Sequence, residues 1–324
     1  MIYFKKLMIY IYCLLACSLG WSQTTSIYPT KAVRVYNPSS PGGGGDVIAR
    51  IIQQELSKNL GQTFIVDNRP GAANIIATDL AAKSAPDGYS LLLGTTGSFV
   101  TNPLIYKKLP YAVSDFVPIS IVADAPFILS VHPSVPANNL TELIAYAKAN
   151  PGKLSFASFG NGSSSHLAGE YFQILTGTKL IHVPYKGSAP GMADLLAGNI
   201  TMTFDSGLSS IPNIQAKKIR PIAVAAPKRL PNLSDVPTFL ELGIPNFYAG
   251  SWYGFFAPQG TPKEIIQLLN KQIHTIVATP EVARRIQSLG SAAIVNTPEE
   301  YTQQIVKETD QWAMVIQKAN IKPD

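Results

Sequence analysis

Cysteine is nearly absent from this chain of 324 residues, since its two cysteines, Cys13 and Cys17, both lie close to the N-terminus. If that segment is removed on export, the remaining protein contains neither a thiol nor a disulfide. Cysteine nucleophiles and metal–thiolate sites are then excluded. The four histidines are far apart in sequence and lack the spacing of metal ligands, so we expect no metal and no cofactor.

Charge is also sparse, because Asp, Glu, Lys and Arg make up only 14% of the residues and the formal net charge is +6. The basic residues are scattered, without an arginine-rich stripe or interleaved aromatic residues, so we expect no nucleic acid partner. A mildly basic surface favours small anions, or it serves solubility alone.

Motifs of common enzymes are missing as well. The chain has no G-x-x-x-x-G-K-[ST] phosphate loop, no G-x-S-x-G nucleophile elbow and no H-E-x-x-H zinc motif. In "GNGSSSH" a histidine replaces the third glycine of a dinucleotide-binding loop. We therefore expect no enzymatic activity, and the alternative is that His166 acts as a base for Ser164 or Ser165.

Long apolar runs are confined to the N-terminus. Lys5 and Lys6 precede an apolar run over residues 7–19, and small and polar residues follow, which is the form of a secretory signal peptide over residues 1–22. Two processing routes stay open, namely cleavage near Ser22 and lipidation of Cys17, which ends a lipobox-like "LLAC". A buried N-terminal helix is the structural alternative. Cleavage near Ser22 lowers the formal net charge to +4 by removing the two lysines.

Glycine, in contrast, is concentrated where strands end. "PGGGGD" joins an alternating strand-like run to a helical apolar pattern, and "FGNGSSSH" does the same further along. Strands and helices alternate on both sides of these loops, which predicts parallel βαβ units and an α/β fold with two lobes. Crossings near residues 122–125 and 247–252 would make the first lobe residues 28–124 plus 247–324 and the second lobe residues 125–246.

The two glycine loops are candidate anion sites, because a loop that enters a helix exposes unpaired N–H groups at the positive end of the helix dipole. Tight turns without a ligand are the alternative for each loop. Of the three serines in the second loop, we expect one to cap the helix and another to face the cleft. Asp46 lies in a first helical turn, so the alternative to a role in binding is that it stabilises the positive end of the helix dipole. Asp205 follows a strand, and the alternative for it is a loop cap. The candidate residues in the two loops are Ser40, Pro41, Gly42, Gly43, Asp46, Gly160, Ser163, Ser164, Ser165 and His166.

Six segments together resemble one family, the Bug or TctC solute-binding proteins of tripartite tricarboxylate transporters. They are "PSSPGGGGDVIARIIQQELSKNLGQTFIVDNRPGAANI", "APDGYSLLLGTTGS", "AYAKANPGKLSFASFGNGSSSHLAGEYF", "HVPYKGSAPGMADLLAGNITMTFD", "DVPTFLELGIP" and "WYGFFAPQGTP". The resemblance covers essentially the whole mature chain, with the segments in the same order.

The resemblance implies a two-lobed periplasmic-binding-protein fold of the type II kind, with the ligand cleft between lobes that two crossover segments join. It implies that both glycine loops hold one carboxylate, partly through water, and that Thr96, Ser98 and Asp205 line the rest of the cleft. The expected protein is a monomeric, periplasmic receptor that delivers a di- or tricarboxylate, an acidic amino acid or an aromatic acid to membrane subunits. A periplasmic ligand sensor and an enzyme on the same scaffold are the alternatives.

Three positions depart from the family pattern. Ala73 and Asn74 follow "NRPGA" where the family usually has another glycine, and Asn161 occupies a variable place in the second loop. The first departure affects a turn, and the second bears on the choice of ligand.

Overall fold

Strands and helices alternate along most of the chain, as the sequence predicts. The computed structural model describes residues 28–245 and 247–321, with only the backbone of Ala72, and the predicted signal peptide lies outside these residues. The strands are β1 (Val33–Asn37), β2 (Phe64–Asn68), β3 (Ser90–Thr95), β4 (Phe116–Val131), β5 (Ser155–Ser158), β6 (Ile181–Pro184), β7 (Met202–Ser206), β8 (Arg220–Val224), β9 (Gly250–Pro258) and β10 (Ala292–Ala293). The α-helices are α1 (Gly44–Leu60), α2 (Ile75–Ala82), α3 (Asn102–Ile105), α4 (Leu140–Ala149), α5 (Ser164–Thr176), α6 (Ser188–Ala197), α7 (Gly207–Gln215), α8 (Lys263–Val277), α9 (Pro280–Ser288) and α10 (Pro298–Ala319).

Parallel strands form the centre of each half of the molecule. β1 pairs in parallel with β2 and β3, and β5 pairs in parallel with β6 and β7. This confirms the predicted βαβ units. The sheet order is β2-β1-β3-β9-β4-β7-β5-β6, with β8 and β10 also paired to β4. Because the carboxyl ends of parallel strands share one edge, the loops after β1 and β3 lie at one edge and those after β5 and β7 at another.

Two antiparallel strands connect the halves. β9 pairs with β4 from Phe116 to Pro126, and β4 then continues to Val131 between β7 and β8. The sequence pattern predicts a strand only over residues 127–131, whereas the structure extends it back to Phe116. Pro118 and two register irregularities interrupt the period-two alternation in the first part of β4, which explains why the pattern conceals it.

The amphipathic helix α1 shows how the sheet is covered. Its side chains at Ile48, Ile51, Ile52 and Leu56 are buried, and they belong to the same core as strand β1 and helix α8. Burying one such side chain contributes about 1.5–3 kcal/mol. The helix ends at Gly61, which has φ 67° and so takes the left-handed conformation that glycine favours. This packing fixes the N-terminal end of α1 at the edge of the sheet.

Within the described part of the chain, no helix is long and apolar enough to span a membrane.

Candidate functional site

The first glycine loop carries the chain from β1 into α1 without a side-chain cap. Gly43 is the N-cap residue, and no side chain bonds to the N–H groups of the first turn from that position. The first turn of any helix has N–H groups without an intrahelical acceptor. The N-terminus of α1 therefore presents backbone donors, as the sequence predicts for an anion site.

The carboxylate of Asp46 is already hydrogen-bonded to protein groups in and beside this loop. Its carboxylate accepts hydrogen bonds from Gly42 N at 2.9 Å, Arg50 Nε at 3.0 Å and Asn68 Nδ2 at 2.9 Å. Burial alone would raise the pKa of Asp46, but the hydrogen bonds from Arg50, Gly42 and Asn68 lower it below its usual value. Asp46 thus holds the shape of the loop, while Ser40, Pro41 and Gly42 lie exposed beside it.

Close neighbours explain the glycines that begin α1. A methyl group added at Gly44 would lie 3.2 Å from Tyr253 Oη and 3.3 Å from Leu208 Cδ2, and one added at Gly45 would overlap Ser39 Oγ. Gly44 and Leu208 belong to different halves of the molecule. The bare backbone therefore permits the first loop to approach the other half closely, which answers why glycine is needed there.

The second loop is organised by its own serines. Ser163 is the N-cap of α5, where its hydroxyl accepts from His166 N at 3.3 Å and donates to Gly160 O at 2.7 Å. Ser165 is buried and accepts from Phe159 N at 2.9 Å. The capping role therefore goes to Ser163, and Ser165 supports the loop from inside. Half-buried Ser164 is the serine best suited to face a ligand.

His166 supports the same loop rather than a neighbouring serine. Its Nδ1 accepts from Gly162 N at 3.0 Å, and its ring stacks on that of His182 at 3.7 Å between centroids. Nε2 lies 3.7 Å from Glu170 Oε1. These contacts match a loop-packing residue and give no support to His166 as a base for Ser164 or Ser165.

The residues after β3 are buried at the crossing strand. Thr96 Oγ1 accepts from Trp252 N at 3.2 Å, and Ser98 lies beneath it with its hydroxyl 3.1 Å from Thr78 Oγ1. Ser98 is completely buried. Thr96 therefore joins the turn to β9, and Ser98 contacts the interior of its own half rather than an open surface.

Asp205 lies at the end of β7 and is 1% exposed. Its carboxylate accepts from Ser188 Oγ at 2.5 Å and from Ser206 N at 2.7 Å. Burial raises the pKa of Asp205 to about 6, despite these hydrogen bonds. Burial also raises the pKa of Tyr253 to about 12, with a further contribution from the charge of Asp205. The charge of Asp205 therefore acts on the Tyr253 hydroxyl, so the two side chains are close enough to interact.

Three residues of this region were not predicted from the sequence, namely Ser188, Leu208 and Tyr253. Ser188 lies in "YKGSAPG", which predicts only a loop and a short helix. Tyr253 lies in "SWYG", where the aromatic residues indicate a crossing segment but not the direction of each side chain.

The two halves touch at several points in this structure. Besides the Gly44–Leu208 approach, a methyl group at Gly162 would lie 2.7 Å from Ile105 Cδ1, and one at Gly207 would lie 2.6 Å from Gly290 Cα. Residues 28–321, leaving aside residue 246, hold no group of three or more His, Cys, Asp or Glu side chains placed to bind a metal. The region contains helix N-termini, hydroxyl groups and one buried acid, which are groups that can bind a small polar ligand.

Known proteins with similar sequences belong to one group. A sequence model of the tripartite tricarboxylate transporter family receptor (TctC) matches residues 48–321. A protein from the tcbD-tcbE intergenic region of Pseudomonas sp. strain P51 is 39% identical over 297 residues, covering 91% of this chain and 88% of that protein. Protein BugT of Bordetella pertussis is 36% identical, covering 91% of each.

Solved structures agree with this grouping. Rpa4515 of R. palustris, determined with adipate, is 36% identical with a TM-score of 0.85, covering 92% of this chain and all of that one. MatC of Rhodopseudomonas palustris, determined with bound malate, is 29% identical with a TM-score of 0.78, covering 89% of this chain and all of that one. The two-lobed α/β fold predicted from the sequence is confirmed. The chain belongs to the TctC family of periplasmic solute-binding receptors for carboxylates.

Proposed function

We propose that this protein captures a small hydroxy- or amino-dicarboxylate between its two lobes and delivers it to the membrane subunits of a tripartite tricarboxylate transporter. The observation that carries the proposal is the uncapped N-terminus of α1, which lies against Tyr253 and Leu208 on the side of Asp205. Backbone N–H groups at a helix N-terminus favour a carboxylate. The second loop, with Ser164, Gly160 and the N-terminus of α5, is assigned to the same carboxylate.

The residue expected at the other end of the ligand, Asp205, favours a particular class of substrate. Asp205 is a buried acid that accepts hydrogen bonds from its own lobe, so it favours a ligand donor such as a hydroxyl or an ammonium group. A second carboxylate directly against an ionised Asp205 would be repelled. The related proteins determined with adipate and with bound malate support a dicarboxylate as the ligand, and malate also carries a hydroxyl group.

We assign the lobes to residues 28–124 plus 247–324 and residues 125–246, with β4 and β9 as the crossing strands. In this assignment Gly44, Thr96 and Tyr253 come from the first lobe and Ser164, Asp205 and Leu208 from the second. A ligand that contacts both sets stabilises the closed arrangement. Export by a signal peptide places the protein in the periplasm, and lipidation of Cys17 is the alternative route.

A thermal-shift screen of the mature protein tests this proposal. Malate, aspartate, adipate, citrate, benzoate and glutamate are compared, because a ligand at 100 times its Kd stabilises the folded state by about 2.7 kcal/mol. We expect malate or aspartate to give the largest shift. Mass analysis after incubation should return the acid unchanged, whereas a converted product would show an enzyme instead. If no carboxylate shifts the melting temperature, the proposal is wrong.

A further inference from the structure

A cavity lies beside the crossing strands, and no residue of the two glycine loops is among those that line it. Its volume is about 490 Å³, and it is bounded by Asp124 and Pro126 of β4, by Gly250 and Trp252 of β9 and by one face of α10. Of the predicted site residues, Thr96 alone is among those that line it. Trp252 and Tyr253 are consecutive in β9, so their side chains leave opposite faces of the strand. The cavity thus lies on the Trp252 side, and the carboxylate site lies on the Tyr253 side.

The lining of the cavity is acidic. It contains the carboxylates of Asp124, Glu300 and Glu308 against the single ammonium of Lys307. Burial raises the pKa of Asp124 to about 6, with a further contribution from the nearby charge of Glu308, and burial also raises the pKa of Glu308. The two half-buried carboxylates therefore repel each other and any anion that enters.

Only one of these two carboxylates is satisfied by the protein. Glu308 accepts from Trp252 Nε1 at 2.8 Å and from Gln304 Nε2 at 2.9 Å. Within the described part of the chain, the Asp124 carboxylate receives no hydrogen bond. A partly buried carboxylate without a donor is costly unless a cation or a donor from elsewhere reaches it.

The remaining walls suit an organic cation better than a metal ion. Aromatic side chains line the cavity at Tyr248, Trp252 and Trp312, and the face of an aromatic ring attracts ammonium groups. A metal ion would need more oxygen ligands than Asp124 supplies, since both oxygens of Glu308 already accept hydrogen bonds.

We propose that this cavity is a second binding site, which takes a small organic ammonium ion between the Asp124 carboxylate and the aromatic walls. Asp124 and Trp252 face each other across β4 and β9, and Glu308 reaches them from α10. A bound cation offsets the repulsion between Asp124 on β4 and Glu308 on α10.

Calorimetric titration of the mature protein at pH 8 with n-butylammonium, 1,4-diaminobutane and choline tests the proposal, and no carboxylate is added. We expect saturable binding of at least one cation, accompanied by a change in tryptophan fluorescence. Asp124→Asn should weaken it at least tenfold, because the substitution removes the charge and keeps the volume. Glu308→Gln provides a second test if Asp124→Asn does not fold. The matched control is Asp310→Asn, an exposed acid on the same helix that does not line the cavity, and it should bind like the parent.

Two results would overturn the proposal. One is the absence of saturable binding by all three cations, and the other is equal binding by the parent and by the Asp124 and Glu308 variants. Neither result depends on the carboxylate site, so a failure here leaves the proposed function untouched, and a failed carboxylate screen leaves this site untouched.

Discussion

At the scale of single residues, the run of four glycines has different roles at successive positions. Gly42 takes a positive φ of 79°, Gly43 is the extended N-cap, and Gly44 brings the backbone against Tyr253 and Leu208. The sequence predicts that something needs a bare backbone here. It does not predict which glycine makes the close approach, because the partners are about 160 to 210 residues away in the chain.

We expect Gly44→Val to bind the best carboxylate at least tenfold more weakly than the parent. The branched side chain would push against Tyr253 Oη and Leu208, and it would hold the first loop away from the other lobe. Isothermal titration calorimetry measures the affinity, and thermal denaturation without ligand confirms folding. The affinity of Gly44→Ala should lie between those of the parent and Gly44→Val. If Gly44→Val binds the carboxylate as tightly as the parent does, the close approach at Gly44 does not matter for binding.

Asp205 gives a prediction about pH. Its pKa is raised from 3.8 to about 6 in the folded protein, so folding favours the protonated form. The stabilisation from this group is fully present below about pH 4 and is lost as the pH rises through 6, by up to about 3 kcal/mol. Asp205→Asn removes this dependence.

The melting temperature of Asp205→Asn minus that of the parent should therefore increase between pH 4.5 and pH 7.5 in ligand-free protein. The same substitution at the exposed Asp235, Asp235→Asn, is measured alongside as a control for the loss of one surface carboxylate. A constant difference for Asp205→Asn would contradict the raised pKa.

At the scale of elements, helices and strands with a local sequence signal are predicted well, and strands that depend on distant partners are not. The helix over Pro298–Ala319 begins with Thr297 and Glu300 bonded to each other's backbone N–H groups, and "TPEE" is the local signature of this capping box. β4 and β9, in contrast, are stabilised by pairing between residues more than 120 positions apart. Such pairing leaves little trace in the local pattern when proline and bulges interrupt the alternation.

Two serines of the second loop are expected to have different roles, one structural and one in ligand binding. Ser163→Ala removes the cap of α5 and should lower the free energy of unfolding by about 0.5–2 kcal/mol. Ser164→Ala keeps the cap, so it should leave stability nearly unchanged and weaken carboxylate binding roughly tenfold. Denaturant unfolding and calorimetry on both variants distinguish these roles. The assignment of Ser164 to the ligand fails if its loss leaves the affinity unchanged.

At the scale of the whole molecule, the predicted site residues fall into two classes that the sequence alone does not separate. Thr96 and the N-terminus of α1 meet the crossing strand or the other half, whereas Ser98, Ser165 and Asp46 are buried within their own half. Burial of these polar residues depends on how the sheet edges are packed, and a family resemblance assigns whole loops rather than individual side chains.

The contacts between the halves predict how the protein responds to its ligand. Gly44 approaches Leu208, Gly162 approaches Ile105 and Gly207 approaches Gly290, so this structure has the lobes together. Tyr171 of α5 also packs on Trp312 of α10, with the ring centroids 5.9 Å apart. We expect lobe motion because the chain passes between the assigned lobes at the two strands β4 and β9. A ligand that bridges both lobes should shift the population towards closure.

We therefore expect the radius of gyration from small-angle X-ray scattering to fall when the best carboxylate from the screen is added to saturation. The scattering curve of the liganded protein should match this structure better than that of the free protein. Gly44→Val supplies the matched control, because its added side chain opposes the approach to Leu208 and should reduce the change. An identical radius with and without saturating ligand would mean that the crossing strands do not act as a hinge, and that the lobes bind their ligand in a preformed cleft.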